Sequence, residues 1–292
     1  MKSVNHLLFN DDDTQIRFET IPNYSKTAKI LAHEYLVLHF TSGMNVISVI
    51  NWFKSPAARV SAHLLIGRDG SVVQFVPFDT IAWHAGDSVW ADRTGINKYS
   101  IGIEMDNAGS LRRYGNKWML GNNIIPDDQV IVKTHKLEYA SRGWHIYTQA
   151  QIDACREVVL LLFAQYKFLD LIGHEDISLG GKVDPGPAFP MDEFRLTAFG
   201  LQPGDTVIYT TTTPVYLRSG PSDRYPVVGS SVKIGTRVIV IERLRGWANV
   251  AIEETAIKGW LPERRLKRVP APPPPVDPVD PVDPVDPVEP VD

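Results

Sequence analysis

Cysteine is nearly absent from this sequence of 292 residues, which contains a single residue of that type, Cys155. No disulfide can form within the chain, so the fold must depend on packing or on a metal. No apolar run approaches the roughly 20 residues that cross a bilayer. The first 15 residues also lack the basic start and apolar stretch of a secretion signal. We therefore expect no membrane insertion and no export by that route.

An excess of charge of one sign is also lacking, since the formal net charge is -4. We expect no nucleic-acid partner from such a balance. Residues 203–269 hold 11 Lys and Arg against 6 Asp and Glu, whereas residues 270–292 hold 6 acidic residues and no basic ones. The mildly basic segment either favours an anionic polymer or forms an ordinary solvated surface.

The first 200 residues combine strand and helix patterns. Short apolar runs bounded by turn residues predict buried strands, and two such runs around the turn Arg68–Gly70 predict a hairpin. The predicted strands are residues 35–40, 62–67, 72–76 and 100–106, and residues 44–54 suit a helix.

A second helix is predicted from residue 149 to about residue 168, where apolar residues recur at helical spacing. Thr148 and Gln151 supply a capping box at its start, and Cys155 belongs to its apolar stripe. Strands interspersed with helices indicate an α/β domain over residues 1–200, with a mixed β-sheet packed by helices.

Beyond Gly200 the sequence changes to short β-rich runs separated by Gly and Pro turns, which predicts a small all-β barrel at residues 203–269. The motifs VYLRSGPS, GWANV and KGW within it resemble those of bacterial SH3-like domains. That resemblance implies a module that binds cell-wall peptides or glycan, or that serves as a rigid spacer.

Residues 270–292 read PAPPPPVDPVDPVDPVDPVEPVD. Proline at every third position blocks helix and sheet and favours extended polyproline II, while the acidic residues keep the segment solvated. We expect a disordered tail that acts as a spacer or as the ligand of a proline-recognising protein partner.

Two residues in the second half of the first domain suggest a metal site. A catalytic zinc site needs three protein ligands, commonly His with one carboxylate, and an open fourth position. The chain offers eight histidines, and a single one is more often structural than a ligand. His174 is followed ten residues later by Asp184, in a turn-rich loop that could hold a carboxylate beside the imidazole. Taken alone, these residues leave a structural role open.

The segment GHEDISLGGKVDPGPAFP, residues 173–190, is similar to the signature loop of the AmpD-like zinc amidases, which are related to peptidoglycan recognition proteins. Other landmarks of that family follow in order within residues 30–195. They are VLHFT around His39, WHAG at 83–86, SIGIE at 100–104 and GWHIY at 143–147.

The resemblance implies a role for each matching residue. His39, His174 and Asp184 would bind Zn²⁺, one ion per chain. Glu104 would be the general base and Lys182 would stabilise the tetrahedral oxygen, as expected for amide hydrolysis. The remaining landmark, Trp83 with His84, would bind substrate.

The function implied is that of a peptidoglycan hydrolase, which cleaves the amide between N-acetylmuramic acid and L-alanine with zinc-activated water, in peptidoglycan or muropeptides. One alternative is a non-catalytic cell-wall recognition protein, and another is amidase cargo or an adaptor of a phage or injection apparatus. Many recognition proteins of the wider family lack the third ligand, so Asp184 favours the enzyme. We expect cytoplasmic synthesis, with release by phage lysis, as for an endolysin, or by a secretion machine.

Overall fold

The structure is a computed structural model that describes residues 1–202, 204–244 and 246–269. The tail predicted at 270–292 lies outside the described residues. Within the described part of the chain, no helix has both the length and the apolar character needed to cross a bilayer.

Helices and strands are numbered in chain order. The strands before the second long helix are β1 (Lys2–Val4), β2 (Leu7–Phe9), β3 (Tyr24–Lys29), β4 (Tyr35–Phe40), β5 (Leu64–Ile66), β6 (Val72–Gln74), β7 (Thr80–Ala82), β8 (Val89–Trp90), β9 (Arg93–Thr94), β10 (Ser100–Met105), β11 (Ser110–Tyr114), β12 (Lys117–Leu120), β13 (Asn123–Ile125), β14 (Val130–Thr134) and β15 (Ser141–His145). The α-helices are α1 (Val46–Lys54), α2 (Gln149–Gln165), α3 (His174–Ile177) and α4 (Met191–Ala198). The remaining strands are β16 (Asp170–Gly173), β17 (Ile208–Thr211), β18 (Val215–Arg218), β19 (Val227–Val232), β20 (Arg237–Leu244), β21 (Trp247–Ile252), β22 (Lys258–Pro262) and β23 (Leu266–Arg268).

Five strands form the central sheet in the order β16-β4-β10-β5-β6. The first four run parallel, and β6 pairs antiparallel with β5. Leu36 and Leu38 of β4 pack in the same cluster as the buried residues of α2, while Tyr35 and Val37 pack in a separate cluster on the opposite face. The predicted mixed sheet packed by helices is therefore confirmed.

Most of the predicted elements are present, with small shifts at their ends. Strands β4 and β10 and the β5–β6 hairpin lie where the sequence placed them. Helix α1 begins later than residue 44, because the side chain of Asn45 caps it by accepting from the backbone N–H groups of Ile47 and Ser48. The predicted capping box at Thr148 starts α2, which ends at Gln165 instead of near residue 168.

A second five-stranded sheet, in the order β13-β12-β11-β15-β14, lies between β10 and α2 in the sequence and was not predicted. The turn that follows β14 reaches the metal-site region. There His135 Nε2 lies 2.7 Å from Glu175 Oε2, and Lys136 Nζ lies 2.9 Å from Glu175 Oε1. This sheet therefore supports the segment that carries His174.

The C-terminal unit is a seven-stranded antiparallel sheet in the order β19-β18-β22-β21-β20-β17-β23. Its core includes Leu217, Val238, Val250 and Leu261, all of them fully buried. The predicted all-β unit after residue 200 is therefore present.

The C-terminal sheet packs against the α/β domain through Arg268. Arg268 Nε donates to the carbonyl oxygen of Leu169 at 2.7 Å, and its guanidinium carbon lies 3.6 Å from the centroid of the Phe199 ring. The half-buried Arg243 bonds within the C-terminal unit, where its Nε lies 2.6 Å from Glu263 Oε1 and its Nη2 donates to the hydroxyl of Tyr209 at 2.9 Å.

The α/β side of this interface carries the opposite charges. Asp176 accepts from Gly173 N at 2.7 Å, pairs with Lys136, and lies 3.3 Å from Arg195 Nη2. Burial raises the pKa of Asp170 to about 6, although Arg195 and two arginines of the C-terminal sheet, Arg243 and Arg268, oppose the shift. Charges from both units therefore act on the same buried carboxyl group.

We expect Arg268→Ala to lower the free energy of unfolding of the full-length protein by about 1–3 kcal/mol, because it leaves a buried carbonyl oxygen without its donor. Arg237→Ala is the matched control, since Arg237 pairs with Glu253 on the exposed surface of the same sheet and exposed pairs contribute little. Denaturant unfolding measures both. Equal effects of the two substitutions would show that the interface arginine contributes no more than a surface one.

Candidate active site

His39, His174 and Asp184 come together at the carboxyl edge of the central sheet. His39 lies at the end of β4, and His174 directly follows β16, which runs parallel beside β4. The carboxyl ends of parallel neighbours meet at one edge of a sheet, so the two imidazoles converge although 135 residues separate them.

The three ligand atoms are equally close to one another. His39 Nδ1 lies 3.1 Å from His174 Nδ1 and 3.0 Å from Asp184 Oδ2, and His174 Nδ1 lies 2.9 Å from the same oxygen. Ligands bound tetrahedrally to one zinc ion at its usual bond lengths lie about 3.3 Å apart. Two imidazoles with one carboxylate also suit zinc, whereas Ca²⁺ and Mg²⁺ prefer oxygen ligands throughout. The described residues at this edge of the sheet therefore fit a zinc ion.

The burial and the pKa values of these residues also favour a metal ion. Their exposed fractions are 1% for His39, 7% for His174 and 7% for Asp184. Burial lowers the pKa of His39 to about 4, which keeps its imidazole neutral. Burial opposes ionisation of Asp184, but its contacts with the two imidazoles outweigh burial and hold its pKa below the usual range. A neutral imidazole and an ionised carboxylate are the protonation states that metal ligands require.

The loop that carries Asp184 is held by two residues to which the sequence assigned no role. Glu175 donates its backbone N–H to the Asp184 carbonyl at 2.8 Å and accepts from Gly186 N at 3.1 Å. The hydroxyl of Tyr147 donates to the Pro185 carbonyl at 2.8 Å. Both residues stand inside the landmark motifs quoted above, but their contacts depend on the folded loop.

Glu104 stands beside the three residues. It is the register partner of His39 across the parallel β10–β4 pair, so the two side chains lie on the same face of the sheet. Its Oε2 is buried and has no hydrogen-bond partner in the described part of the chain. Burial raises the pKa of Glu104 to about 8, and the charge of Asp184 adds to the shift while Lys182 opposes it. Such a group is suited to exchange protons near neutral pH.

The other predicted residues border the same region. Lys182 is exposed on the loop before Asp184 and lines the cleft. Trp83 also lines the cleft, but its indole N–H donates to the hydroxyl of Ser25 at 3.1 Å. His84 is buried, and its Nδ1 lies 3.0 Å from His39 Nε2. His84 therefore contacts a predicted metal ligand directly.

A cleft of ≈ 570 Å³ opens in front of these groups. Helix α1 and the residues after it supply an apolar wall formed by Val49, Trp52, Phe53 and Val60. Trp52 is 54% exposed, while Ile50 and Phe53 of the same helix are buried. Sequence reasoning missed Trp52, and the available signal was a large aromatic residue outside the buried stripe of a short helix.

A second recess of ≈ 760 Å³ borders one of the predicted ligands, His174. It shares His174, Lys182 and the Trp83–His84 pair with the first cleft and continues toward Arg59 and Asn97. The two depressions therefore adjoin beside the candidate metal site.

Comparisons with known proteins relate this chain to amidases. The family model described as N-acetylmuramoyl-L-alanine amidase matches residues 29–187. The 1,6-anhydro-N-acetylmuramyl-L-alanine amidase AmpD of Salmonella typhimurium is 36% identical over 139 residues, which are 47% of this chain and 56% of that protein. The N-acetylmuramoyl-L-alanine amidase AmiD of Escherichia coli is 30% identical over 154 residues, 50% of this chain and 47% of that protein.

A crystal structure of a selenomethionine AmpD derivative is 27% identical and has a TM-score of 0.48, over 68% of this chain and 99% of that one. The chain spans about half the length of the curated relatives it matches.

Purified full-length protein should contain about one zinc ion per chain, as expected for a single three-ligand site. Asp184→Ala should lose the metal, because only two imidazoles remain and the carboxylate that balances the charge of the ion is gone. Asp192→Ala, which removes an exposed carboxylate from α4, serves as the control. Elemental analysis after exhaustive dialysis gives the answer, and a variant at Asp184 that retains full zinc content would contradict the assignment.

Glu104→Gln should change how the stability of the metal-free protein depends on pH. The unfolded chain loses the Glu104 proton near pH 4.5, whereas the folded chain keeps it until about pH 8. The unfolded state therefore binds fewer protons in this window, so wild-type stability falls as pH rises. Gln does not titrate. Between these limits the free energy of unfolding of the variant should therefore rise relative to that of the wild type by on the order of a few kcal/mol.

Thermal unfolding of both chelator-treated proteins at pH 5 and pH 8.5 tests this expectation. All other titrating groups are common to the two proteins and cancel in the difference. A difference that stays constant with pH would mean that Glu104 does not hold a proton in the folded protein.

Proposed function

Because this chain belongs to the N-acetylmuramoyl-L-alanine amidase family, whose model matches residues 29–187, we propose that it hydrolyses peptidoglycan. The bond cleaved is the amide between the lactyl group of N-acetylmuramic acid and L-alanine of the stem peptide. The observation that carries this proposal is the convergence of His39, His174 and Asp184 beside the buried carboxyl of Glu104.

His39, His174 and Asp184 would hold one Zn²⁺ per chain. Zinc in that position acts as a Lewis acid on a carbonyl and lowers the pKa of water toward about 7. All three residues line the cleft. The cleft therefore leaves room beside them for both the scissile amide and the attacking water.

Glu104 would move the proton. Its Oε2 has no competing hydrogen bond in the described residues, so it is free to accept a proton from water as the new carbon–oxygen bond forms. The same oxygen would then deliver that proton to the nitrogen of L-alanine as the carbon–nitrogen bond breaks. The second proton of the water, carried by the new hydroxyl, passes to the amine as the carboxyl group ionises. The products are therefore a lactyl carboxylate and an ammonium group, and the atoms and protons balance.

Lys182 would stabilise the negative charge that develops on the amide oxygen. It lies two residues before Asp184 and lines both depressions that border the site. A cation at the rim of a cleft contributes most when substrate has displaced water from around it. Lys182 would therefore act mainly in the closed complex with substrate.

The cleft would hold the substrate by its walls. Trp83 and Trp52 present aromatic surface that can pack against a sugar ring or a peptide stem. Among the predicted substrate contacts, His84 offers only the edge of its ring, because both of its nitrogens take part in hydrogen bonds within the protein.

We also propose that residues 203–269 form an SH3-like domain that binds the cell wall. The segment is net basic, as noted above, and Tyr216, Tyr225 and Val227 are exposed on or beside the neighbouring strands β18 and β19. A basic surface with exposed aromatic groups suits an anionic polymer of sugars and peptides.

Digestion of purified sacculi tests the proposed bond specificity. Mass spectrometry should detect released peptides with a free L-alanine amino terminus, and the glycan strands should gain no new reducing ends. New reducing ends, or cleavage between residues of the stem peptide, would mean that a different reaction takes place.

Glu104→Gln provides the control for this assay. It preserves shape and hydrogen bonding but cannot accept a proton, so it should retain zinc while its rate falls about a hundredfold or more. Wild-type protein that binds zinc and sacculi but releases no peptide would favour the non-catalytic recognition protein instead.

A further inference from the structure

A chain of hydrogen bonds runs from a backbone carbonyl to the candidate metal site. The hydroxyl of Ser100 lies 2.8 Å from the Ile96 carbonyl oxygen and 3.2 Å from His84 Nε2. His84 Nδ1 lies 3.0 Å from His39 Nε2. The other nitrogen of His39, Nδ1, faces Asp184.

The metal end of the chain sets the direction of its protons. If His39 binds the metal through Nδ1, its single proton lies on Nε2 and is donated to His84 Nδ1. A neutral imidazole carries one N–H, so His84 then donates from Nε2 to the hydroxyl oxygen of Ser100. The hydroxyl proton of Ser100 points to the Ile96 carbonyl, which can only accept.

Neutral His84 follows from its surroundings. The ring is buried and contacts the rings of His39 and His63 edge to face, with centroids 5.1 Å and 5.8 Å away. No carboxylate forms an ion pair with it among the described residues. A second proton on His84 would therefore be an unpaired buried charge, which is costly.

We propose that His84 and Ser100 are positioning residues that hold His39 in its Nε2–H tautomer, so that the unprotonated Nδ1 faces the metal. The inference rests on the metal site of the proposed function. It assigns His84 a role in metal binding in addition to its place on the cleft wall.

The surrounding structure holds the His84 ring in place. The backbone N–H groups of His84 and Ala85 both donate to Asn97 Oδ1, at 3.0 Å and 2.8 Å. A Cβ at Gly102 would overlap the His84 ring, so the ring packs directly against this glycine. A ring whose backbone and face are both held can keep its hydrogen bond to His39 at constant length, as supporting residues of metal ligands commonly do.

Nitrogen NMR of the wild-type chain provides the first test. Long-range ¹H–¹⁵N correlations distinguish the two tautomers of each imidazole, and they can be recorded on zinc-loaded full-length protein. We expect His84 to carry its proton on Nε2 and to leave Nδ1 unprotonated toward His39. A proton on Nδ1 of His84 in the zinc-loaded protein would overturn the inference.

Zinc affinity of variants provides the second test, measured by competition with a chromophoric chelator. His84→Leu should weaken zinc binding by about 10–100-fold, the usual cost of losing a partner of a ligating His. Ser100→Ala should also weaken it, because His84 is then free to adopt either tautomer. His84→Asn should recover most of the loss, since its side-chain oxygen can accept from His39.

His145→Leu is the matched control, since His145 is equally buried and bonds to Ala108 N and Gln129 instead of to a predicted ligand. It should leave zinc affinity within a fewfold of the wild type. Equal affinities of the His84→Leu and His145→Leu proteins, or no recovery with Asn, would overturn the proposed role. Neither readout requires substrate, so a protein that binds zinc as expected but does not hydrolyse peptidoglycan would refute the proposed function alone.

Discussion

The parallel register between β4 and β10 is the constraint on which the candidate site depends. It sets His39 directly opposite Glu104, and β16 on the other side of β4 brings His174 to the same edge. Side chains alternate between the faces of a strand, so a slip of one residue in either pairing would move a site residue into the core that packs on α2. The apolar residues Leu36, Leu38, Ile101 and Ile103 on that core face are fully buried and resist such a slip. The packing that stabilises the sheet therefore also fixes the geometry of the site.

Two carboxyl groups in this site are driven to opposite protonation states by their neighbours. Asp184 is buried but contacts two imidazoles, and its pKa falls. Glu104 has a buried oxygen with no hydrogen-bond partner in the described chain, and its pKa rises to about 8. The charge of the first contributes to the shift of the second. Pairs of acids separated in this way commonly divide the work of a site, one binding charge and the other carrying a proton.

Much of the fold was predictable because its signals are local. The alternation at residues 35–40 and the capping box at Thr148 depend on residues close in sequence, and both appear in the structure. The sheet formed by β11 to β15 was not predicted, since most residues of β11 to β14 are exposed or half-buried and so lack the apolar runs of buried strands. The predicted ligands were brought together as expected, but the contact between His84 and His39 spans 45 residues and no spacing rule reveals it. For the same reason, the role of Glu175 in holding the Asp184 loop was visible only in the folded chain.

The change of composition near residue 200 separates two folding patterns, but direct contacts still join the two units. Arg268 of the C-terminal sheet donates to the carbonyl oxygen of Leu169 and packs on the ring of Phe199. Lys267 Nζ lies 3.7 Å from Asp92 Oδ1 of the α/β domain. The charges of Arg243 and Arg268 also act on the buried carboxyl group of Asp170, which begins β16, the strand directly before His174. The C-terminal sheet therefore contributes to the electrostatic environment of the strand that leads to a predicted metal ligand, whatever else its outer surface binds.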